Sequence, residues 1–229
     1  MTVAYATSRE AADPWCLSDG EAARLLAGHP WRRFVVVGDS VALGIFEETD
    51  GYLPLGWTDR IAAELRAVAP DLTYLNLGQM DVRSARVRAE QVPAAVAFRP
   101  DLALVACGAN DAFSPRYRPE AVDEELAGMV VALQGAGAEV MTMSVLVLDD
   151  YPGLPTAIRA DVPGRLRVWR QHSAALAARL DTLHVDLTDH PSEHGGDLIS
   201  ADGVHGNGKS HAISAAAAVR RLGVRLGNA

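Results

Sequence analysis

The sequence predicts an α/β fold in which helices cover both faces of one parallel β-sheet. Five short runs are apolar throughout, as expected of strands that are buried on both faces. Longer segments with helical periodicity separate these runs, which is the element order of repeated β-α-β units. The length of 229 residues suits one sizeable domain of this class.

The predicted elements follow one another in the order that such a sheet requires. A short helix comes first, over 19–28, with Ser18 or Asp19 as its cap. Strands are predicted at 34–38, 72–78, 101–108, 138–147 and 183–187, and helices at 56–70, 84–98 (interrupted by Pro93), 119–137, 164–180 and 206–223. Two long loops remain, 148–163 and 188–206, and loops of this length are usually functional or mobile. We divide the chain into an N-terminal appendage, residues 1–32, and a single α/β domain, residues 33–229.

Composition and charge exclude several classes of partner. Hydrophobic residues make up 49% of the chain and charged residues 22%, and the formal net charge is −8. Because nucleic acids and anionic membranes both require a basic face, we expect neither as a partner. The N-terminus lacks the pattern of a secretory signal, and no apolar run could span a bilayer. With only Cys16 and Cys107, we expect a cytoplasmic protein with reduced thiols, and Cys107 as a packing residue more than a nucleophile.

Reactive side chains follow three of the predicted strands. Ser40 stands in Gly-Asp-Ser after the first strand, and Asn110 follows the third. Asp202 and His205 lie three residues apart in the loop between the fifth strand and the last helix. Since the C-terminal ends of parallel strands meet at one sheet edge, we expect these residues to converge.

These residue types are the ones that acyl transfer requires. A serine hydroxyl needs a base to take its proton, and a histidine needs an acid to hold its ring in one tautomer. The Asn110 amide could donate to the oxyanion that forms when a carbonyl is attacked. Each motif alone also fits a plain turn or a solvated loop, so the indication comes from their combination and order.

The segments VVVGDSVALG, CGAND and ADGVH resemble the sequence blocks of the SGNH hydrolases, the GDSL-type esterase and lipase superfamily. The run from Asn76 to Asp111 resembles a branch common in actinobacteria. The resemblance covers residues 33–223 and implies a flavodoxin-like three-layer α/β/α sandwich with a five-stranded parallel sheet. It also implies Ser40 as nucleophile and backbone oxyanion donor, Asn110 as side-chain donor, His205 as base and Asp202 as its acid. No metal or organic cofactor is implied.

One position departs from the family pattern. A glycine usually follows the asparagine that ends the second strand by five residues and donates its N–H to the oxyanion. Here that asparagine is Asn76, and Asp81 stands in place of the glycine. Either Asp81 supplies only its backbone N–H, with its carboxylate turned away or paired with Arg83, or the carboxylate faces the site and alters the chemistry.

Other polar residues have structural interpretations. We expect Asp39 to shape the turn, Asp111 to make local backbone hydrogen bonds and His211 to be a capping or surface residue. A metal site could be assembled from the histidines and acids of 190–211, although that segment lacks a rigid frame.

The sequence therefore predicts a serine hydrolase that cleaves an ester or another acyl bond of a small molecule. An acyltransferase with the same acyl-enzyme, and a binding protein altered at Asp81, are the alternatives. A homodimer contact through the appendage or the loop 148–163 is left open.

Overall fold

The computed structural model describes residues 9–148, 150–187 and 197–229. This part of the chain holds five strands, all parallel, in the spatial order β2-β1-β3-β4-β5. The strands are β1 (Arg33–Gly38), β2 (Thr73–Asn76), β3 (Leu102–Ala106), β4 (Glu139–Met143) and β5 (Leu183–Val185). This order is that of the flavodoxin-like doubly wound fold, so the predicted fold class is confirmed.

Ten helices accompany these strands in the described residues. They are α1 (Glu21–Leu25), α2 (Ser40–Leu43), α3 (Trp57–Val68), α4 (Ser84–Glu90), α5 (Val92–Ala97), α6 (Ala109–Ala112), α7 (Pro119–Gly135), α8 (Thr156–Arg159), α9 (Val162–Leu180) and α10 (Gly208–Leu226). None of the helices in these ranges combines the length and apolarity that a bilayer span requires.

Alternate residues of each strand enter two separate apolar cores. Phe34 and Val36 of β1 face a core that includes side chains of α1, α3 and α10. Val35 and Val37 face the opposite core, which includes side chains of α4, α5, α7 and α9. Both faces of the strand are therefore buried, which explains why its sequence is a continuous apolar run.

Two local predictions require correction. The predicted helix 84–98 is two helices that divide at Gln91, and Pro93 lies in the first turn of α5, where a proline is tolerated. The first helix begins after Gly20, so neither Ser18 nor Asp19 is its cap. Instead, the Glu21 carboxylate accepts hydrogen bonds from the Ser18 N–H and hydroxyl.

A buried ion pair joins the N-terminal segment to helix α3. Glu10 and Arg60 of α3 are 1% and 2% exposed, and their side chains lie 2.5 Å apart. Arg60 also donates to the carbonyls of Leu53 and Leu55, and Glu10 accepts from the Leu53 N–H. The pair is thus hydrogen-bonded on both sides, as a buried pair of charges requires.

Candidate active site

The turn after β1 carries Ser40 at the C-terminal edge of the sheet. Gly38 has φ 151°, and a Cβ at this position would overlap the Ala106 carbonyl of β3. Asp39 then caps α2, because its Oδ1 accepts the Val41 N–H at 2.9 Å. Ser40 is the first residue of α2 and is 7% exposed. The strand, turn and short helix together fix the backbone of Ser40, and Asp39 shapes the turn.

The buried Gln91 side chain holds the same turn from the side. Its Nε2 donates to the Gly38 carbonyl at 2.9 Å, and its Oε1 accepts the Gly38 N–H at 2.8 Å. Gly38 lies beyond the register of β1 with β2, which ends at Val36 and Asn76. The Gln91 amide therefore makes hydrogen bonds with the backbone of Gly38 at a position where β2 no longer pairs with β1.

The Asp39 carboxyl is buried, and a second, half-buried acid, Asp111, lies near enough to influence its pKa. The pKa of Asp39 is raised to about 7, chiefly by burial and in part by the charge of Asp111, while hydrogen bonds from the N–H groups of Val41 and Gly108 act in the opposite direction. Burial also raises the pKa of the Cys107 thiol well above its ordinary value. Cys107 and Cys16 are both free and buried, in agreement with the expected packing role of Cys107.

Asp81 adopts the backbone conformation that glycine favours. Its φ is 58°, in the left-handed region that aspartate tolerates better than most residues, and its side chain is exposed. The loop that leads to it packs on α2, since a Cβ at Gly78 would overlap the backbone of Leu43. In the described residues Asp81 forms no ion pair with Arg83, whose charge lowers the pKa of Asp111.

Asn110 and Asp111 connect α6 to the segment that follows Asp81. The Asn110 Nδ2 donates to the Val82 carbonyl at 2.9 Å, which orients the amide and leaves its second hydrogen for another acceptor. The Asp111 carboxylate accepts the N–H and the hydroxyl of Ser84, each at 3.0 Å. Besides a local bond to its own backbone N–H, of the kind that the sequence predicted, Asp111 thus binds the first residue of α4.

Asp202 and His205 form a hydrogen-bonded pair within one turn. The distance from Asp202 Oδ2 to His205 Nδ1 is 2.6 Å. Asp202 Oδ1 accepts the backbone N–H groups of Val204 and His205, each at 2.9 Å. Burial acts to raise the pKa of Asp202, but these hydrogen bonds prevail and lower it. An ionised acid on Nδ1 leaves the Nε2 of His205 for a nucleophile.

A cavity of about 120 Å³ lies beside the candidate residues, and sequence neighbours of Ser40, Asn110 and His205 form part of its wall. Its wall includes Val41, which follows Ser40, and Ala109, which precedes Asn110. It also includes Val204 and Gly206, which flank His205. The rest of the wall is mainly apolar and includes side chains at the ends of β4 and β5, at 145–148 and Tyr151, and on α3, α9 and α10. In the described residues the Ser40 hydroxyl makes no hydrogen bond to His205, a contact that is often long outside the reacting complex.

Comparison with known proteins identifies the family. The sequence model of the GDSL-like lipase/acylhydrolase family matches residues 36–213, more than half of the chain. The chain belongs to this family. It is therefore a GDSL-type acyl hydrolase, and the prediction from the sequence blocks is confirmed. Among curated proteins, none matches the chain significantly.

Several solved structures share this fold. TesA is 22% identical with a TM-score of 0.65, over 83% of this chain and 98% of its own. The lipase/acylhydrolase from Enterococcus faecalis is 19% identical with a TM-score of 0.67, over 85% and 96%. A catalytic mutant of Axe2, an acetylxylan esterase from Geobacillus stearothermophilus, is 15% identical with a TM-score of 0.67, over 86% and 94%. At these identities the similarity shows the fold.

His211 is a residue of this hydrolase's cavity that the sequence interpretation missed. It is buried, its Nδ1 accepts the Trp57 N–H at 3.1 Å, and its ring packs on Phe46 at 5.1 Å. Burial lowers its pKa to about 3, and the charge of Arg60 acts in the same direction. The expectation of a capping or surface residue is wrong. Its helical spacing from Ala215, Ala218 and Leu222, all buried, is the signal that could have shown this.

The alternative of a metal site falls partly on residues that the structure does not describe. His190, Glu193 and His194 lie outside the described residues. Within 9–148, 150–187 and 197–229, no group of three or more histidine, cysteine or acidic side chains could hold a metal ion.

Proposed function

We propose that this hydrolase cleaves esters of small molecules through a covalent acyl-enzyme on Ser40. The Ser40 oxygen attacks the carbonyl carbon while its proton passes to His205 Nε2, and the carbonyl oxygen takes the displaced electron pair. When the tetrahedral intermediate collapses, the alcohol leaves with the proton from His205. Water then repeats the sequence on the acyl-enzyme and releases the acid.

The observation that carries this proposal is the Asp202–His205 hydrogen bond of 2.6 Å. The residues on either side of His205 line the same cavity as Val41, the residue after Ser40. Asp202 accepts a hydrogen bond from the Nδ1–H group of His205, so the ring presents Nε2 as the basic nitrogen. Because Asp202 is also held by two backbone N–H groups, the orientation of the ring is preset.

The oxyanion would be bound by the N–H groups of Ser40 and Asp81 and by the Asn110 amide. The left-handed backbone and exposed side chain of Asp81 support a role for its N–H alone. A carboxylate about 4 Å from the oxyanion would cost about 4 kcal/mol at an effective dielectric of about 20. An exposed carboxylate avoids most of that penalty, which favours hydrolysis over the altered binding protein.

The size of the cavity favours a short acyl group. A cavity of about 120 Å³ compares with the roughly 150 Å³ that accommodates a benzene molecule in a protein core. Its walls are mainly apolar, as an aliphatic chain requires. In a series of p-nitrophenyl esters we expect kcat/KM to be highest for acetate to butyrate and to fall at least tenfold for octanoate, since even one extra methylene that a hydrophobic pocket cannot accommodate lowers kcat/KM about tenfold or more.

Labelling with a fluorophosphonate tests the chemistry directly. We expect a single adduct on Ser40 by peptide mass spectrometry and none in Ser40→Ala, which should also lose ester hydrolysis. An adduct elsewhere, or hydrolysis that persists in Ser40→Ala, contradicts the proposal. Analysis of products with an added alcohol separates hydrolysis from acyl transfer.

We also propose a cytoplasmic location, which the two free cysteines support.

A further inference from the structure

The segment that follows α2 holds the turn that carries Asp202 and His205. The Glu47 carboxylate accepts the Ala201 N–H at 2.6 Å, and the Glu47 N–H donates to the Ser200 hydroxyl at 3.2 Å. The Glu47 carbonyl accepts the Gly208 N–H at 2.9 Å. Glu47 therefore binds both ends of the turn, one through its side chain and one through its backbone.

Ser200 closes the turn from inside. Its buried hydroxyl donates to the Gly206 carbonyl at 2.7 Å, and its N–H donates to the His205 carbonyl at 2.8 Å. The same hydroxyl accepts the Glu47 N–H. One serine thus links the chain on both sides of Asp202 and His205 to the segment after α2.

The other end of this connection is the nucleophile itself. The Ser40 carbonyl accepts the N–H groups of Gly44 and Ile45 at 3.0 and 3.3 Å, and Glu47 follows two residues later. No hydrogen bond joins the Ser40 hydroxyl to His205 in the described residues, so other contacts must set their relative position. The path from Ser40 through Ile45 and Glu47 to Ala201 is a continuous set of backbone and side-chain bonds.

We propose that Glu47 is a positioning residue, which sets the Asp202–His205 turn against the helix of the nucleophile. The proposal rests on the proposed function, since it assigns Glu47 a role in that same reaction. Glu47 acts through the acceptor oxygen that binds the Ala201 N–H, so an uncharged amide at this position retains the role. Glu47 is exposed, and its loss removes no buried packing.

The test compares Glu47→Ala, Glu47→Gln and Glu48→Ala. Glu48 is the adjacent exposed acid and serves as the matched control. Steady-state hydrolysis of p-nitrophenyl acetate should show kcat reduced about tenfold or more in Glu47→Ala with KM nearly unchanged, because small displacements of a catalytic group have large effects. Glu47→Gln should restore most of kcat, and Glu48→Ala should equal the wild type. Melting temperatures should stay within a few degrees of the wild type in all three.

Backbone hydrogen exchange by NMR gives a readout that does not depend on activity. In Glu47→Ala, exchange should accelerate at Ala201 and also at Val204 and His205, whose N–H groups bind Asp202, and it should stay unchanged in Glu48→Ala. If these amides exchange as in the wild type, the proposal is overturned, whatever the rates of hydrolysis. If exchange changes as expected but the wild type hydrolyses no ester, the positioning role stands and the proposed function fails.

Discussion

The fully buried carboxyl of Asp39 makes the stability of this hydrolase depend on pH in a direction that can be calculated. Burial raises its pKa to about 7, from the ordinary value of 3.8 for an aspartate. Between these values the folded protein retains a proton that the unfolded chain has released. The folded state therefore binds more protons, and the free energy of unfolding falls as pH rises through this interval.

The size of the effect follows from the difference between the two pKa values. About three pH units at about 1.4 kcal/mol each give a loss of about 4 kcal/mol between about pH 4 and about pH 8. This is a large part of the 5–15 kcal/mol that ordinarily stabilises a domain. Asp39→Asn keeps an oxygen that can accept the Val41 N–H and removes the titration.

The assay is urea unfolding of wild type and Asp39→Asn at several values across that pH interval. We expect the variant to gain about 4 kcal/mol relative to wild type from the acidic to the basic end. A constant offset reflects only altered packing or hydrogen bonds, so the dependence on pH is the quantity that decides. Asp50→Asn, at an exposed position, is the control. A difference between wild type and Asp39→Asn that does not change with pH would refute the reasoning.

Three further substitutions test the site. Asp202→Asn keeps an acceptor for the backbone but presents an N–H to His205 Nδ1, so we expect kcat to fall by about 10²- to 10⁴-fold; thermal melts should move little, since an exposed pair contributes about 0–1 kcal/mol. Asp81→Gly should leave kcat/KM for p-nitrophenyl acetate within about threefold, if only the N–H is used; a tenfold rise would show that the carboxylate faces the oxyanion. A Cβ at Gly153 would overlap the Asp202 carbonyl, so Gly153→Ala should lower kcat about tenfold. Gly164→Ala, where nothing lies within 4 Å, should not, and equal ester kinetics in these two variants would contradict this account.

The sheet could be predicted because its determinants are local. Each strand is a short apolar run, and strand burial on both faces follows from the helices between the runs. Ser40, Asn110, Asp202 and His205 can be chosen as candidates because each lies between the end of a strand and the helix that follows it or in the first turn of that helix, and the observed Asp202–His205 contact spans only three residues. All of these features depend on residues that lie close together in the sequence.

The remaining details depend on contacts between distant parts of the chain. Asp111 binds Ser84, and His211 accepts from Trp57, although 27 and 154 residues separate the partners. The role of Gln91 requires that Gly38 lie beside the junction of α4 and α5, which no pattern in either segment indicates. The left-handed backbone of Asp81 is likewise a property of how its loop packs on α2, and the residue type only permits it.

The buried ion pair between Glu10 and Arg60 limits how far the N-terminus of the enzyme can be shortened without loss of stability. The family match begins at residue 36, inside β1, so a shortened protein built to that boundary would keep Arg60 and lose its carboxylate. A guanidinium stranded in the interior without its counter-charge costs about 3–5 kcal/mol, comparable to the whole stability of a modest domain. We therefore expect a protein shortened to that boundary to be less stable than the full chain by about this amount.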